Sequence, residues 1–558
     1  MVSNKDLAEL IFPEVKETLS DLEKRYPSRN LKEGAQVTRF APSPTGFLHT
    51  GSLFTSLICY KVAKQSDGVF YVRLEDTDSK REIVGSGVQL INQLKEFGLN
   101  NDEGYYGDHE EGNYGPYIQS KRAEIYKVAI KYLIEQGRAY PCFCSQEQLN
   151  DIRKKQEENK IMPGYYGQFA KCRFLNNDER ARRIKEGEPF VIRFKSNGSH
   201  LRKIKVSDLV HGDFEIAQND QDIVIFKSDG LPTYHFAHVV DDHFMRTTTV
   251  IRGEEWIASL PIHVELFEAM GWTAPLYAHL PVIMKLDDNN HKRKLSKRLD
   301  KEAAVSYFLE DGYPSEALIM YLMTIANSNF EEWIFEHNFS NMEEFKFSFD
   351  KMSLEGALFD MGKLTFFARE ILARKTKHEM LVMAKEYASK YNPKLLAMIN
   401  YSETYFEDIM NIERERENPR KDYYKFSELP ELINFFYKDE YLSLSASLDK
   451  LPFNFEKFSK ETITKLLMDI RDNISLDVDE SNWFSALKQI ALDNKFASNN
   501  KMFKANPELY IGTVADAAEI LRISLTTKKN SPNLYYVMKV LGLEVSKERI
   551  NHIISLLK

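Results

Sequence analysis

The sequence has few cysteines and no long apolar run. Four of its 558 residues are cysteine, too few for a disulfide scaffold and typical of a reducing compartment. The most apolar stretch, residues 317–326, has about half the length that a bilayer-spanning helix needs. Residues 1–34 mix acidic and basic side chains and lack the apolar centre of a signal peptide. We therefore expect a soluble, cytoplasmic protein with no membrane partner.

Neither sign of charge is in large excess. The 75 Lys and Arg residues oppose 83 Asp and Glu residues, so the formal net charge is −8. This value argues against a protein that binds nucleic acid with its whole surface, but it permits a basic face. Residues 285–298 and 363–377 each carry a net charge of +4, whereas residues 102–111 carry −5. We expect the two basic segments to face polyanions, with a solvated helix face as the competing interpretation of the second.

Apolar periodicity predicts an α/β region that is interrupted and then followed by helices. Strands at 37–40 and 69–74 alternate with helices near 51 and 90–97, which is typical of a parallel sheet. The alternation breaks over 115–210 and returns at 223–226, 250–251 and 259–270. The pattern thus predicts an α/β Rossmann-type domain split by an insertion, followed by an all-α C-terminal region. The predicted boundaries are 1–35 for a helical extension, 36–114 and 216–284 for the split domain, 115–215 for the insertion, 285–378 for a connecting region and 379–558 for the helical region.

One motif lies where the first strand meets the first helix of the split domain. Residues 40–51 read FAPSPTGFLHTG, and open α/β sheets bind nucleotides at this kind of turn. Gly51 would let an adenine ring approach the backbone, and the helix N-terminus favours phosphate. His49 can donate a hydrogen bond to a phosphate whose charge is redistributed. Taken alone, His49 is more often an incidental residue in a proline-rich turn, but the twelve-residue string is far more specific.

A second motif, KLSKR at residues 294–298, follows in a polar loop. Lysines in a loop over a nucleotide can neutralise triphosphate charge as it moves to the leaving group. A charged run by itself is usually a solvated face. Because this run occurs together with the first motif, a role at the nucleotide site becomes the favoured interpretation. No GxxxxGK[ST] loop is present, so the chain is not a P-loop enzyme.

Together the two motifs resemble the HIGH and KMSKS signatures of class I aminoacyl-tRNA synthetases, specifically the bacterial-type glutamyl-tRNA synthetase family. Further similar segments are RLEDTD at 73–78, PTYH at 232–235, VIRGEEW at 250–256 and FDMGKL at 359–364. The resemblance implies that ATP, with Mg²⁺, and L-glutamate form glutamyl-adenylate. The glutamyl group then passes to the terminal adenosine of tRNA-Glu, with tRNA-Gln left open as a second acceptor. It also implies a monomer in which 115–215 binds the acceptor stem, 285–378 contacts the stem and 379–558 reads the anticodon.

The resemblance also assigns roles to individual residues. His49, Gly51 and Lys297 would be catalytic, and these three with Lys294 would bind ATP. Arg39 would pair with the glutamate side chain, and Glu75 would hold the α-ammonium group. The full glutamate-binding set is Arg39, Ala41, Ser43, Glu75, Tyr234, His238 and Arg252. His238 departs from the family, many of whose members have Asn at this position.

Three of the four cysteines resemble a zinc knuckle found in some family members. Cys142, Cys144 and Cys172 could supply three tetrahedral ligands to structural Zn²⁺. Phe174 stands at the last ligand position and cannot bind metal, and Tyr166 is an unusual substitute. Reduced, buried cysteines are the favoured alternative.

Two rival functions stay open beside glutamate–tRNA ligase. A glutaminyl-tRNA synthetase would normally have a PEPNG-like first motif and a β-barrel anticodon region, unlike the helical tail here. A non-catalytic tRNA-binding protein on the same fold would not need His49, Gly51 and Lys297 intact.

Overall fold

The computed structural model of the chain describes residues 1–78, 83–296 and 298–558. These residues form two compact units. The first unit contains residues 1–307 and 319–361, and the second contains residues 308–318 and 362–558.

The first unit contains mixed sheets and flanking helices. Its strands are β1 (Val37–Phe40), β2 (Val69–Val72), β3 (Glu103–Tyr105), β4 (Glu110–Glu111), β5 (Ala139–Cys142), β6 (Val191–Phe194), β7 (Lys203–Asp208), β8 (Gly212–Ala217), β9 (Val224–Phe226), β10 (Thr249–Gly253), β11 (Leu276–Leu280), β12 (Met284–Leu286) and β13 (Lys292–Lys294). Its helices are α1 (Asn4–Ile11), α2 (Leu19–Arg25), α3 (Thr50–Gln65), α4 (Ser86–Glu96), α5 (Ala123–Glu135), α6 (Gln146–Glu158), α7 (Asn177–Lys185), α8 (Tyr234–Phe244) and α9 (Leu260–Met270). Helices α10 (Val305–Asp311) and α11 (Ser315–Ala326) contribute residues to both units, and α12 (Phe330–Glu336) completes the first.

Parallel strands form the centre of the first unit. Strands β1, β2 and β3 pair in parallel, and β10 pairs in parallel with β11. The backbone N–H of Thr248, just before β10, donates to the carbonyl of Val37 in β1 at 3.0 Å. All four residues of β1 are buried, as expected for a strand covered on both faces. The predicted Rossmann-type α/β architecture is therefore confirmed, with β1 leading directly into the segment before α3.

Two strands lie in different sheets from those that the sequence predicts. Strand β9 was expected to continue the parallel sheet, but it pairs antiparallel with β6 in the sheet β5-β6-β9. Conversely, β7 lies within the predicted insertion, yet it pairs in parallel with β11. A short apolar run carries no information on its pairing partner, so periodicity along the chain could not assign these neighbours.

The N-terminal segment is tied to the rest of the first unit. Capping boxes start α1 at Ser3 and α2 at Thr18, and α1 packs against α5. Between α2 and β1, the guanidinium of Arg29 donates to the carbonyl of Met245 at 2.9 and 3.1 Å and forms an ion pair with Glu103. The same guanidinium lies 3.9 Å from the ring centre of Tyr114. This segment is thus a structural part of the first unit.

The second unit is almost entirely helical. Its helices are α13 (Met361–Arg374), α14 (Lys377–Tyr391), α15 (Pro393–Tyr401), α16 (Glu403–Met410), α17 (Leu429–Ile433), α18 (Lys438–Leu444), α19 (Lys460–Asn473), α20 (Glu480–Asp493), α21 (Asn500–Ala505), α22 (Val514–Thr526), α23 (Leu534–Leu541) and α24 (Leu543–Leu557), and a two-residue ladder joins β14 (Phe496–Ala497) to β15 (Gly512–Thr513). Two hydrophobic clusters form its core, one within residues 372–541 and the other within residues 451–557. Among the described residues, no helix combines the length and the apolar character that a membrane span requires.

Basic residues of the 363–377 segment have partners inside the second unit. Arg374 pairs with Glu370, Lys375 pairs with Glu316 at 2.8 Å, and Lys377 lies 3.5 Å from Asp408. The net charge of this segment in the sequence therefore overstates the charge that it presents to a polyanion.

We expect Arg29→Ala to destabilise the first unit by about 1–3 kcal/mol, because it leaves the largely buried Glu103 carboxylate without its cation. Arg25→Ala is a matched control: Arg25 pairs with Glu17 but its side chain is 48% exposed, so its loss should cost less than about 1 kcal/mol. Thermal unfolding of the two variants measures the difference. Equal melting temperatures would contradict the anchoring role of Arg29.

Candidate active site

The segment between β1 and α3 ends at His49, which is the N-cap residue of α3. The Nδ1 atom of His49 accepts the backbone N–H of Gly51 at 3.0 Å, so the neutral ring carries its proton on Nε2. A Cβ atom at Gly51 would lie only 3.2 Å from His49 Nδ1. The glycine therefore leaves room for the imidazole.

A cavity of about 740 Å³ opens beside this turn at the carboxyl ends of β1 and β10. It brings together residues that lie more than 200 positions apart in the sequence. The predicted residues that line it are Arg39, Ala41, Ser43, His49, Gly51, Glu75, Tyr234, Arg252 and Lys294. Lys297 lies outside the described residues.

Buried ion pairs fix the floor of the cavity. The Nε atom of Arg39 donates to Asp242 at 3.1 and 3.2 Å, and Arg73 donates to the same carboxylate at 2.7 Å. Burial lowers the pKa of Arg39, but the charge of Asp242, its hydrogen bonds with Arg39 and the charge of Tyr71 together outweigh burial, so the pKa is raised overall. Arg73 also donates to Glu75 at 2.9 Å. Burial raises the pKa of Glu75, and the charge of Arg73 opposes this shift.

The neighbouring Asp241 holds a second set of donors. Arg122 donates to it at 2.6 Å, while Gln119 and Tyr126 each donate at 2.8 Å. Both carboxylates of α8 are inaccessible to solvent. Together they join β1, the end of β2 and α5 to one turn of α8.

His238 does not line the cavity, in contrast to its predicted contact with glutamate. It is fully buried on α8, and its Nδ1 atom lies 3.0 Å from Asp242. Residues 234, 238 and 242 lie one turn apart on the same face of the helix. The ring of Tyr234 therefore stands between His238 and the cavity, with ring centres 5.9 Å apart. Burial lowers the pKa of His238 to about 3, so the ring is neutral near pH 7.

Aromatic rings and one arginine complete the wall. Tyr234 packs against Trp256 with ring centres 4.4 Å apart, and both residues line the cavity. Arg252 is 5% exposed, and its second terminal nitrogen, Nη2, has no hydrogen-bond partner among the residues that the structure describes. A buried guanidinium N–H without an acceptor is costly unless a ligand supplies one.

The basic loop is partly neutralised by acidic residues that follow it. Strands β12 and β13 form a hairpin that ends at Lys294. Arg293 donates to Asp300 at 2.6 and 2.7 Å, and Lys285 pairs with Asp300 and Glu302. The pKa of Asp300 is lowered mainly by its hydrogen bonds with Arg293. Lys294 is 61% exposed and lies 4.0 Å from Glu255. It is the described lysine of KLSKR that lines the cavity.

Three cysteines form a compact thiol cluster in the inserted region. The sulfur atoms of Cys142, Cys144 and Cys172 all lie within 4.8 Å of one another, and those of Cys144 and Cys172 are 3.6 Å apart. Tetrahedral zinc with Zn–S bonds of about 2.3 Å places sulfur atoms about 3.8 Å apart. The cluster therefore fits a zinc ion.

Tyr166, the suggested substitute ligand, belongs to a different environment. Its hydroxyl donates to the carbonyl of Met162 at 2.7 Å. The hydroxyl of Tyr165 instead lies 3.2 Å from Cys144 Sγ and 3.5 Å from Cys142 Sγ. The backbone at Tyr166 is extended. Adjacent side chains of an extended segment point to opposite sides, so Tyr165 and Tyr166 face different surroundings.

Comparisons with known proteins agree with this geometry. A family model described as tRNA synthetases class I (E and Q), catalytic domain, matches residues 36–366, and one for an anticodon-binding domain matches residues 383–554. The chain belongs to the E and Q family of class I tRNA synthetases. It is therefore an aminoacyl-tRNA ligase by family.

Relatives of this synthetase match it over its full length. A glutamate–tRNA ligase of Clostridium perfringens (strain 13 / Type A) is 44% identical over 98% of this chain and 100% of the relative. One of Acetivibrio thermocellus is 42% identical over 99% of this chain and 100% of the relative. A crystal structure of a glutamate tRNA ligase from Elizabethkingia meningosepticum, in complex with its amino acid, aligns with a TM-score of 0.74 at 29% identity, covering 94% of this chain and 100% of that one.

Several residues that shape the synthetase site were not found by sequence reasoning. They are Asp208, Asp241, Asp242, His263 and His279. The one available signal was the pair of adjacent acids inside the apolar helix sequence HVVDDHF. Charged residues are rarely buried without partners, so this pair could have indicated buried cations.

Buried neutral histidines predict a loss of stability in acid. An unfolded histidine takes up a proton near pH 6.5, whereas folded His238 does so only near pH 3. The stability that this residue contributes is thus complete above pH 6.5 and falls as the pH drops toward 3, by up to about 1.4 kcal/mol per pH unit. His238→Asn should flatten the dependence of the unfolding free energy on pH between 6.5 and 4 in urea titrations. An unchanged slope would contradict the lowered pKa of His238 in the folded protein.

Proposed function

We propose that the protein is a glutamate–tRNA ligase that forms glutamyl-adenylate in the 740 Å³ cavity. The observation that carries this proposal is that Arg252, whose buried Nη2 atom has no hydrogen-bond partner among the described residues, lines the same cavity as the His49 turn. One side thus suits an anionic amino acid, and the other suits a nucleotide.

The charges favour glutamate over glutamine. Arg39 and Arg73 share the buried carboxylates of Asp242 and Glu75, so these cations are largely balanced by the protein. Among the described residues, no carboxylate lies within 4 Å of Arg252. A glutamate side chain would supply the missing anion to Arg252, in place of the pairing with Arg39 that the family resemblance implies. A neutral glutamine amide would leave the buried charge uncompensated. Ala41, Ser43, Glu75 and Tyr234 line the space that remains for the amino-acid backbone.

Catalysis then rests on orientation and on stabilisation of charge. An oxygen of the glutamate α-carboxylate attacks the α-phosphorus of ATP, and pyrophosphate leaves with the electrons of the broken P–O bond. His49 would donate from Nε2 to a phosphate oxygen, and Lys294 and Lys297 would balance charge on the leaving group, with ATP entering as its magnesium complex. A hydroxyl of the terminal tRNA adenosine next attacks the glutamyl carbonyl, and AMP leaves. No nucleophile of the protein is needed.

The helical second unit supports tRNA as the acceptor, because an anticodon-binding model matches most of it. A non-catalytic protein would have no use for the lined cavity or the capped histidine. A monomeric state and a cytoplasmic location stay predictions.

Aminoacylation of purified tRNA tests the function. We expect the protein to charge tRNA-Glu with radiolabelled glutamate in the presence of ATP, and to reject labelled glutamine. A parallel reaction with tRNA-Gln decides whether a second tRNA is accepted. His49→Asn keeps an N-cap acceptor for α3 but removes the imidazole. It should lower kcat by about 100-fold with little change in the KM for glutamate. Charging with glutamine alone, or no charging of either tRNA, would contradict the proposal.

We also propose that Cys142, Cys144 and Cys172 would hold a structural zinc ion, and the hydroxyl of Tyr165 lies 3.2 Å from Cys144 Sγ. The ion would stabilise the inserted region and take no part in the reaction.

Metal analysis of the purified protein should find about one zinc per chain. Cys144→Ser should reduce this content strongly. Cys59→Ser is the matched control, because Cys59 is buried and donates to the carbonyl of Arg39 instead. Wild-type protein free of zinc after purification without chelators would show that the three cysteines are reduced thiols without metal.

A further inference from the structure

Arg252 is held by histidines where the other buried arginines of the site are held by carboxylates. Its Nε atom donates to Nε2 of His279 at 3.0 Å, and its Nη1 atom lies 3.2 Å from Nδ1 of His263. Both imidazoles are inaccessible to solvent. The guanidinium carbon of Arg252 lies 5.0 Å from the ring centre of Tyr277.

The hydrogen-bond pattern fixes the tautomer of His279. Its Nδ1 atom lies 2.7 Å from a carboxylate oxygen of Asp208, which can only accept. The ring proton must therefore reside on Nδ1, and the lone pair of Nε2 points at the N–H of Arg252. The same carboxylate accepts the backbone N–H groups of Val210 and His211 at 2.9 and 3.0 Å, so its position is set by the turn between β7 and β8.

A second pair fixes His263 in the same way. Because Nδ1 of His263 must accept from Arg252, its ring proton resides on Nε2. That atom lies 3.0 Å from Nδ1 of His235, which accepts it. Burial lowers the pKa of His263 and of His279, so both rings are neutral acceptors.

Neutral acceptors orient a guanidinium without cancelling its charge. Two of its nitrogen atoms are fixed by imidazoles, while the third, Nη2, is buried and has no partner in the described part of the chain. A carboxylate in place of either imidazole would give the same orientation but would compete with an anionic ligand for the cation.

We infer that Asp208, His279, His263 and His235 are positioning residues that aim a fully charged Arg252 at the substrate carboxylate. This inference rests on the proposed function and adds the residues that determine specificity for an anionic amino acid. They contact Arg252 or one another and need not contact the substrate.

Replacement of His279 tests the inference through its separate effects on KM and kcat. His279→Leu removes the acceptor, so the KM for glutamate in tRNA aminoacylation should rise about tenfold or more. The KM for ATP should change little. His279→Gln can again accept from Arg252 through its amide oxygen, and it should restore most of the affinity. Asp208→Asn should resemble His279→Leu, because the amide N–H would force the ring into the other tautomer.

His243→Gln is the matched control. This histidine is also largely buried, but it bonds to Glu23 and stacks on Trp272. It should leave the KM for glutamate unchanged. If His279→Leu does not fold, as judged by its thermal transition, the same comparison is made with His263→Leu and His263→Gln.

The outcomes separate the two proposals. If the wild-type protein does not charge tRNA with glutamate, the proposed function fails. If the wild-type protein charges tRNA but folded Leu and Gln variants share its KM for glutamate, or lose affinity equally without rescue by Gln, the positioning role is wrong.

Discussion

The catalytic unit depends on two adjacent carboxylates of α8. Asp241 binds donors from the start of α5, and Asp242 binds Arg39 on β1 and Arg73 after β2. Removing one partner from such a buried pair typically costs about 3–5 kcal/mol, because the other charge is left uncompensated. The same contacts place Arg39 and Glu75 beside the cavity. Stability of the sheet and geometry of the site therefore rest on one turn of one helix.

Arg39 and Arg252, the arginines that line the cavity in the described part of the chain, have different electrostatic roles. Arg39 is balanced by Asp242, so it contributes shape and hydrogen bonding more than net charge. Arg252 is oriented by neutral imidazoles and keeps its charge for a ligand. A site built in this way can contain several buried arginines at tolerable cost and still offer the charge of one of them, Arg252, to a ligand. The buried histidines that make this possible also make the fold sensitive to acid.

Much of the site could be predicted from the chain because its motifs are local. The turn before α3, with His49 and Gly51, follows from a strand, a proline-rich segment and a helix start in sequence order. His238 could not be placed in the same way. Its type and position suggested a ligand contact, but the ring of Tyr234 one turn earlier separates it from the cavity. The sequence suggested Tyr166, but the hydroxyl that lies beside the thiols belongs to the adjacent Tyr165. Packing decides which side chains of an extended segment face a given side, and this could not be inferred from the sequence.

The sequence by itself determined the α/β class, the helical second unit and the family motifs, because these depend on periodicity and on residues close together in the chain. The tertiary structure decided which strands are neighbours, which charges are neutralised and which donors stay unpartnered. The net charge of residues 285–298 illustrates the difference: Asp300 and Glu302 follow just after the segment, yet only the folded hairpin brings them onto Lys285 and Arg293. Electrostatic interactions act through space, so charge counted along a chain becomes meaningful only once the fold has set the distances.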